Sequence, residues 1–174
     1  SAILIIQKQL DFIQNKSLGF NPEQNIVIPM RTSEARSNYV ELKNSIQQIA
    51  GVSQVSATTS LPSTPLLRDY GLYLQGSSPD TGILHRMINT DENYFDLLKI
   101  KLIAGRDFDD QRDKYKEEDE TVNVIVNQAS LREYNIDLKD AVGTTLLSEY
   151  DGTVRYHKII GVVEDFHQFS LHDK

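Results

Sequence analysis

Thr144-Thr-Leu-Leu-Ser-Glu-Tyr-Asp-Gly-Thr-Val-Arg-Tyr-His-Lys-Ile-Ile-Gly-Val-Val163 is the stretch whose reading decides the fold. Two strand-like runs flank Asp151-Gly152, a dipeptide suited to a type I′ turn because both residues tolerate positive φ. Thr144 to Tyr150 therefore returns as Val154 to Val163 in an antiparallel hairpin. Lys158 to Val163 carries the signal of a buried strand, and Gly161 within it marks a bulge or a close backbone approach.

Working outward, Val122 to Val126 reads as a strand, and Asn127 can cap a helix from Gln128 to Tyr134. Tyr70 to Gln75 and Ile83 to Asn89 read as a second hairpin around the turn cluster Gly76 to Gly82. Thr90 or Asp91 can cap a short helix through Leu98, and Lys99 to Ile103 reads as a short strand ending at Gly105. Asn25 to Pro29 and Val52 to Ala57 also read as strands. The helix between them, Glu34 to Ala50, is capped by Thr32 or Ser33, presents Tyr39, Leu42, Ile46 and Ile49 on one face, and has Gly51 as its C′ residue. Ile3 to Gln14 has helical apolar spacing, and Leu61 to Arg68, with two prolines, is a loop. Strands and helices mix without strict alternation, so the expected class is α+β.

Arg106 to Glu120 differs from its surroundings. Its fifteen residues include eight acidic and four basic side chains, which marks a solvated loop and the best boundary between two subdomains. The whole chain of 174 residues has a formal net charge of −7, which opposes binding to nucleic acid. It has no cysteine, so disulfides, thiolate metal sites and thiol nucleophiles are excluded. No stretch reaches the ~20 apolar residues that span a bilayer. Both ends, Ser1-Ala-Ile-Leu-Ile-Ile6 and Phe166 to Lys174, read as cuts from a longer protein.

Candidates for chemistry are few. His167 and His172, with Glu164, Asp165 and Asp173 nearby, offer metal-ligand types, but their spacing fits no established motif. Asp107, Asp109, Asp110 and Glu117 to Glu120 offer oxygen ligands without the spacing or central glycine of a calcium loop. Arg106 follows Gly105 at a strand end, as a phosphate contact would, and Phe108 reads as an apolar anchor for the loop. Tyr39 and Tyr94 read as core residues. Tyr70, Tyr73, Tyr150 and Tyr156 fall on strands, either as one row for a protein partner or as cross-strand pairs. The sequence therefore assigns no catalytic, cofactor-binding or metal-ligating residue, and no cofactor.

Four phrases carry a resemblance. Gln9 to Phe20 looks like the segment after a transmembrane helix in ABC-transporter permeases. Asn93-Tyr-Phe-Asp-Leu-Leu-Lys-Ile-Lys-Leu-Ile-Ala-Gly-Arg-Asp-Phe108 is similar to a signature of the MacB-like periplasmic core domain of FtsX-like permeases. Val126 to Arg132 resembles its strand-to-helix step, and Ile159 to Leu171 its exit towards the membrane. The resemblance implies a porter-like subdomain over 24–104 plus 158–174, an inserted Sabre-like subdomain over 105–157, and a membrane-proximal helix within 1–23. It also implies a periplasmic domain of a bacterial inner-membrane permease, without enzymatic activity of its own. The implied partners are an ABC ATPase reached through transmembrane helices, a periplasmic adaptor or lipoprotein, and a second permease copy. Efflux, lipoprotein release and mechanotransmission are the implied roles. Two other readings compete: a membrane-tethered periplasmic domain that senses a small ligand, and a hydrolase with a metal site at His167 and His172.

Overall fold

Asp151 and Gly152 both adopt left-handed backbone, with φ of 49° and 73°. This tight turn joins strand β5 (Thr145–Tyr150) to strand β6 (Thr153–Val163), paired from Tyr150–Thr153 to Thr145–Lys158. The computed structural model describes residues 25–60, 69–114, 116 and 119–166. Within them, β6 is the spine. Its N-terminal half pairs with β5, its C-terminal end pairs antiparallel with β3 (Leu102–Gly105), and along its length it pairs parallel with β4 (Thr121–Asn127). Strand β1 (Asp69–Leu74) extends the sheet from β5, and β2 (Ile83–Arg86) from β1, giving the order β2-β1-β5-β6-β3 with β4 on β6.

A bulge in β6 explains how one strand serves two cores. Val124 pairs with Ile159, but Ile125 pairs with Gly161, so Ile160 is an extra residue. The insertion reverses the alternation of faces. Ile159 and Val162, three residues apart, therefore share one cluster with Leu72, Leu131, Ala141 and Leu146. Helices α4 (Gln128–Glu133) and α5 (Leu138–Ala141) each contribute a buried residue to that cluster. Val163 instead joins Tyr94, Phe95, Leu98 and Ile100 in a second cluster, around helix α3 (Tyr94–Leu97). The close approach expected at Gly161 is present. It is paired with Gly105, whose φ is +72°, and a methyl on Gly105 would overlap the Ile160 carbonyl and lie 2.9 Å from the Gly161 Cα.

The sequence reading holds for β1, β4, β5 and β6 and for the cap of α4, where the Asn127 side chain accepts from the Ser130 N–H; β2 stops at Arg86 rather than Asn89, and β3 starts at Leu102 rather than Lys99 and includes Gly105. It fails between residues 25 and 60. Asn25 to Pro29 and Val52 to Ala57 form no strand and lie outside the sheet. Side chains occupy backbone groups that a partner strand would have taken. The Gln47 amide donates to the Ser53 carbonyl, the Asn93 amide to the Val55 carbonyl, and the Ala57 N–H donates to the Asp91 carboxylate. The long helix is two pieces, α1 (Ser33–Ser37) and α2 (Tyr39–Gln47), separated at Asn38. Thr32 does cap it, and Gly51, at φ +92°, lies in the turn beyond rather than directly at C′. The expected helix Ile3 to Gln14 and the loop Leu61 to Arg68 fall outside the described residues.

Candidate functional site

Helix α2 meets the segment between β2 and α3 through a charged clasp. Its half-buried face is Tyr39, Lys43 and Ile46, at helical spacing, whereas the expected face members Leu42 and Ile49 are 38% and 57% exposed. The Lys43 ammonium donates to Asp91 Oδ2 at 2.8 Å and to Glu92 Oε1 at 2.7 Å. Asp91 is buried and also accepts from the Ser56 hydroxyl at 2.6 Å, the Ala57 N–H at 2.9 Å and the Asn93 N–H at 3.3 Å. Four donors on one carboxylate offset the cost of removing it from water. Asp91 thus joins α2, the 56–57 segment and the turn before α3; Asn93 is the N-cap, without a side-chain cap bond. Burial alone would lower the Lys43 pKa, but its hydrogen bonds to Asp91 and Glu92 outweigh burial and raise it.

Asp110, at the start of the acidic stretch, closes the other side of the clasp. The neighbouring Glu92 carboxylate, and then burial, push its carboxyl up to about 6. Burial works against ionised Glu92, but neighbouring Asp110 and the hydrogen bond from Lys43 prevail and lower its pKa. The second Glu92 oxygen, Oε2, is buried and has no hydrogen-bond partner among the described residues.

Three residues further on, Asp113 has the opposite character. The Arg106 guanidinium grips it with two hydrogen bonds of 2.6 and 2.9 Å, and Asn123 and the Asp109 N–H also donate to it. The Arg106 pair in particular holds its carboxyl down to about 2. Arg106 is therefore committed to Asp113 and is not poised for a phosphate. Phe108 stacks on Phe95 at 6.5 Å and joins the second core cluster, the anchoring role expected of it. The first half of the stretch is thus fastened at two points rather than fully solvated.

The other candidates resolve as follows. Asp165 is a fastening for α4: its carboxylate accepts from the Ala129 N–H at 2.7 Å and pairs with Arg132. His167, His172, Asp173, Glu117 and Glu118 lie outside the described residues. Among the described residues no cluster of three or more His, Cys, Asp or Glu is arranged to hold a metal ion. Tyr73, Leu147 and Tyr156 form a cross-strand row, whereas Tyr70 and Tyr150, each three residues from a member of that row, fall on the other face by strand parity. Tyr94 is a core residue and Tyr39 is half-buried at the clasp.

Sequence reasoning missed Lys43, Asp91, Glu92, Asp110 and Asp113 as partners. One signal was available. Lys43 is i+4 from Tyr39 and i−3 from Ile46, so a cation stood on the face that should contact the body.

No protein-family model and no curated protein sequence matches the chain. Among the described residues, no helix is long and apolar enough to cross a membrane. Several solved structures resemble it, two of them from permease-type proteins. One is a domain of a protein named as a permease in Porphyromonas gingivalis, 21% identical, with a TM-score of 0.46 over 71% of this chain and 48% of that one. The other is the periplasmic region of MacB from Actinobacillus actinomycetemcomitans, 16% identical, with a TM-score of 0.50 over 75% of this chain and 52% of that one. The chain thus spans about half the length of these domains, and its mixed α/β sheet has the fold of the MacB periplasmic region.

Proposed function

We propose that the chain is the periplasmic domain of an ABC-transporter permease, carried by an inner-membrane parent and coupling ATP-driven transmembrane motion to periplasmic partners or substrates. The observation that carries this reading is the fold shared with the MacB periplasmic region. The ordered phrases from Asn93 to Phe108 and Ile159 to Leu171 support it independently of the coordinates. ATP hydrolysis would belong to a separate subunit or domain, and a permease dimer would present two copies of this domain. Export, lipoprotein release and mechanotransmission are the roles proposed for it.

A force path fits this role. Strand β6 pairs with β3, β4 and β5, and just beyond it Asp165 is fastened to α4. A pull on the chain after β6 would load the centre of the sheet rather than an edge. The proposed division, 24–104 plus 158–174 against 105–157, would transmit that load through β6 and the β1–β5 pairs Tyr73–Leu147 and Leu74–Leu146. The test is a topology map of the parent protein, with an alkaline phosphatase reporter fused after this domain and at flanking positions. Periplasmic activity at the domain, bracketed by transmembrane segments and beside an ABC ATPase gene, is the expected outcome. A parent with no transmembrane segment would reject the proposal.

A further inference from the structure

We infer that Tyr134 latches the outer hairpin of β1 and β2 onto helix α4, its hydroxyl proton committed to the Leu72 carbonyl and His85 held behind it as the Nε2–H tautomer. The inference goes beyond the transport reading and does not depend on it. It starts from how little of the sheet holds the hairpin. β2 is the outermost strand, and β1 is its one strand partner among the described residues. β1 in turn meets β5 through two register pairs, Tyr73–Leu147 and Leu74–Leu146. An edge strand has backbone groups on one side with no strand to pair. The hairpin therefore rests on that short seam and on whatever holds it from outside the sheet.

Tyr134, the C-cap residue of α4, supplies that outside hold. Its hydroxyl oxygen lies 2.8 Å from the Leu72 carbonyl oxygen on β1 and 2.8 Å from His85 Nε2 on β2. A carbonyl oxygen can only accept, and the hydroxyl has one proton to give. If that proton went to His85, two oxygens would face each other at hydrogen-bond distance with no hydrogen between them. The proton therefore belongs to Leu72, and the hydroxyl accepts from His85, which requires hydrogen on Nε2. Glu133 favours the same tautomer, because its Oε2 lies 3.7 Å from that nitrogen, where an N–H suits a carboxylate better than a lone pair. Burial, and then Glu133, push the Tyr134 phenol up to about 12, so the hydroxyl keeps its proton. The His85 and Tyr134 rings stack at 5.3 Å, and Tyr134 packs on the cluster that holds Leu72 and Leu131. One hydroxyl thus joins β1, β2 and α4.

The experiment uses the 174-residue chain, labelled with nitrogen-15, at pH 7.5. Burial lowers the His85 pKa, so the imidazole is neutral there. Long-range nitrogen–proton NMR reads its tautomer, with the His85 signals assigned by their loss in H85Q. Amide hydrogen exchange reads the hairpin. His85 should carry hydrogen on Nε2, and that proton should give its own signal, because the hydrogen bond slows its exchange with water. Y134F keeps the ring and loses the hydroxyl. In it the Nε2 proton signal should vanish, and protection of the β1 and β2 amides should fall roughly tenfold while Ile159 and Val162 keep theirs. A wild-type His85 with its hydrogen on Nδ1, or an Nε2 proton lost to solvent exchange as in a free histidine, would overturn the inference. So would wild-type protection of the hairpin in Y134F, or an equal loss in β1, β2 and β6. The imidazole spectra of the wild-type chain test the latch even if Y134F fails to fold.

Discussion

Helix α2 and strand β6 differ in what holds them, although both carry apolar residues in a regular pattern. β6 buries Ile159, Ile160, Val162 and Val163, and its bulge feeds two clusters on opposite faces. Helix α2 buries no residue fully and leaves Val40 and Leu42 exposed; Ile49, just beyond its end, is exposed too. Its attachment is Lys43 on Asp91 and Glu92, supported by Ser56, Ala57 and Asn93. Apolar burial is non-directional and tolerates small displacements. A clasp of four donors on one carboxylate is directional and opens as a unit. The sheet is thus built to stay together, and the helical segment is built to come away from it without unfolding it.

The largest effect that would test this contrast is at the glycine pair. Gly105→Ala should destabilise the whole chain by about 4 kcal/mol, because it combines left-handed backbone with a backbone overlap that cannot relax by side-chain movement. The melting temperature should drop by roughly 12 °C. Leu146→Ala, which empties a fully buried position of the first cluster, should cost about 3 kcal/mol by urea unfolding.

Proton linkage separates the regions next. Burial lowers the imidazole of His157 to about 4, and only its Nε2 has a partner, the Ser148 hydroxyl at 2.8 Å. The unfolded chain binds this proton more tightly, so global stability should fall as pH drops from 6.5 towards 4, by up to about 3 kcal/mol. Asp110 works in the opposite sense over nearly the same range. In H157Q, urea midpoints should depend less on pH across this window. An unchanged slope would move the acid sensitivity elsewhere.

Smaller effects belong to the clasp and its surface. Asp91→Ala should cost about 2 kcal/mol, expressed as loss of amide protection in α2 while β6 keeps its own. Loss of protection in both at once would mean that the two regions unfold together. Ile49→Ser, on the exposed side, should stay within about 0.5 kcal/mol in thermal melts.

What the sequence made legible follows from range. The Asp151-Gly152 turn, the Asn127 cap and the Gly161 bulge depend on neighbours along the chain or on backbone geometry that only certain residues adopt. These were readable before any coordinates. The strands expected at 25–29 and 52–57 were not realised, because alternation specifies a face but not a partner, and the side chains of Gln47, Asp91 and Asn93 took up backbone groups of the second segment. The clasp was hidden for a related reason. Asp91 looked like a helix cap, since Asp near a helix start commonly is one, but its partners Lys43, Ser56 and Ala57 lie 34 to 48 residues away. Asp110 and Asp113 looked alike in an acidic run, and only their neighbours, Glu92 for one and Arg106 for the other, drive them apart.

The most direct test of the contrast is native-state hydrogen exchange on the 174-residue chain, read amide by amide at increasing sub-denaturing urea. Amides of Ile159 and Val162 should exchange only through global unfolding, with a steep urea dependence. Amides of Lys43 to Gln47 should exchange through a smaller opening of lower free energy and shallow urea dependence. One shared opening free energy and one shared urea dependence for both sets would contradict the account.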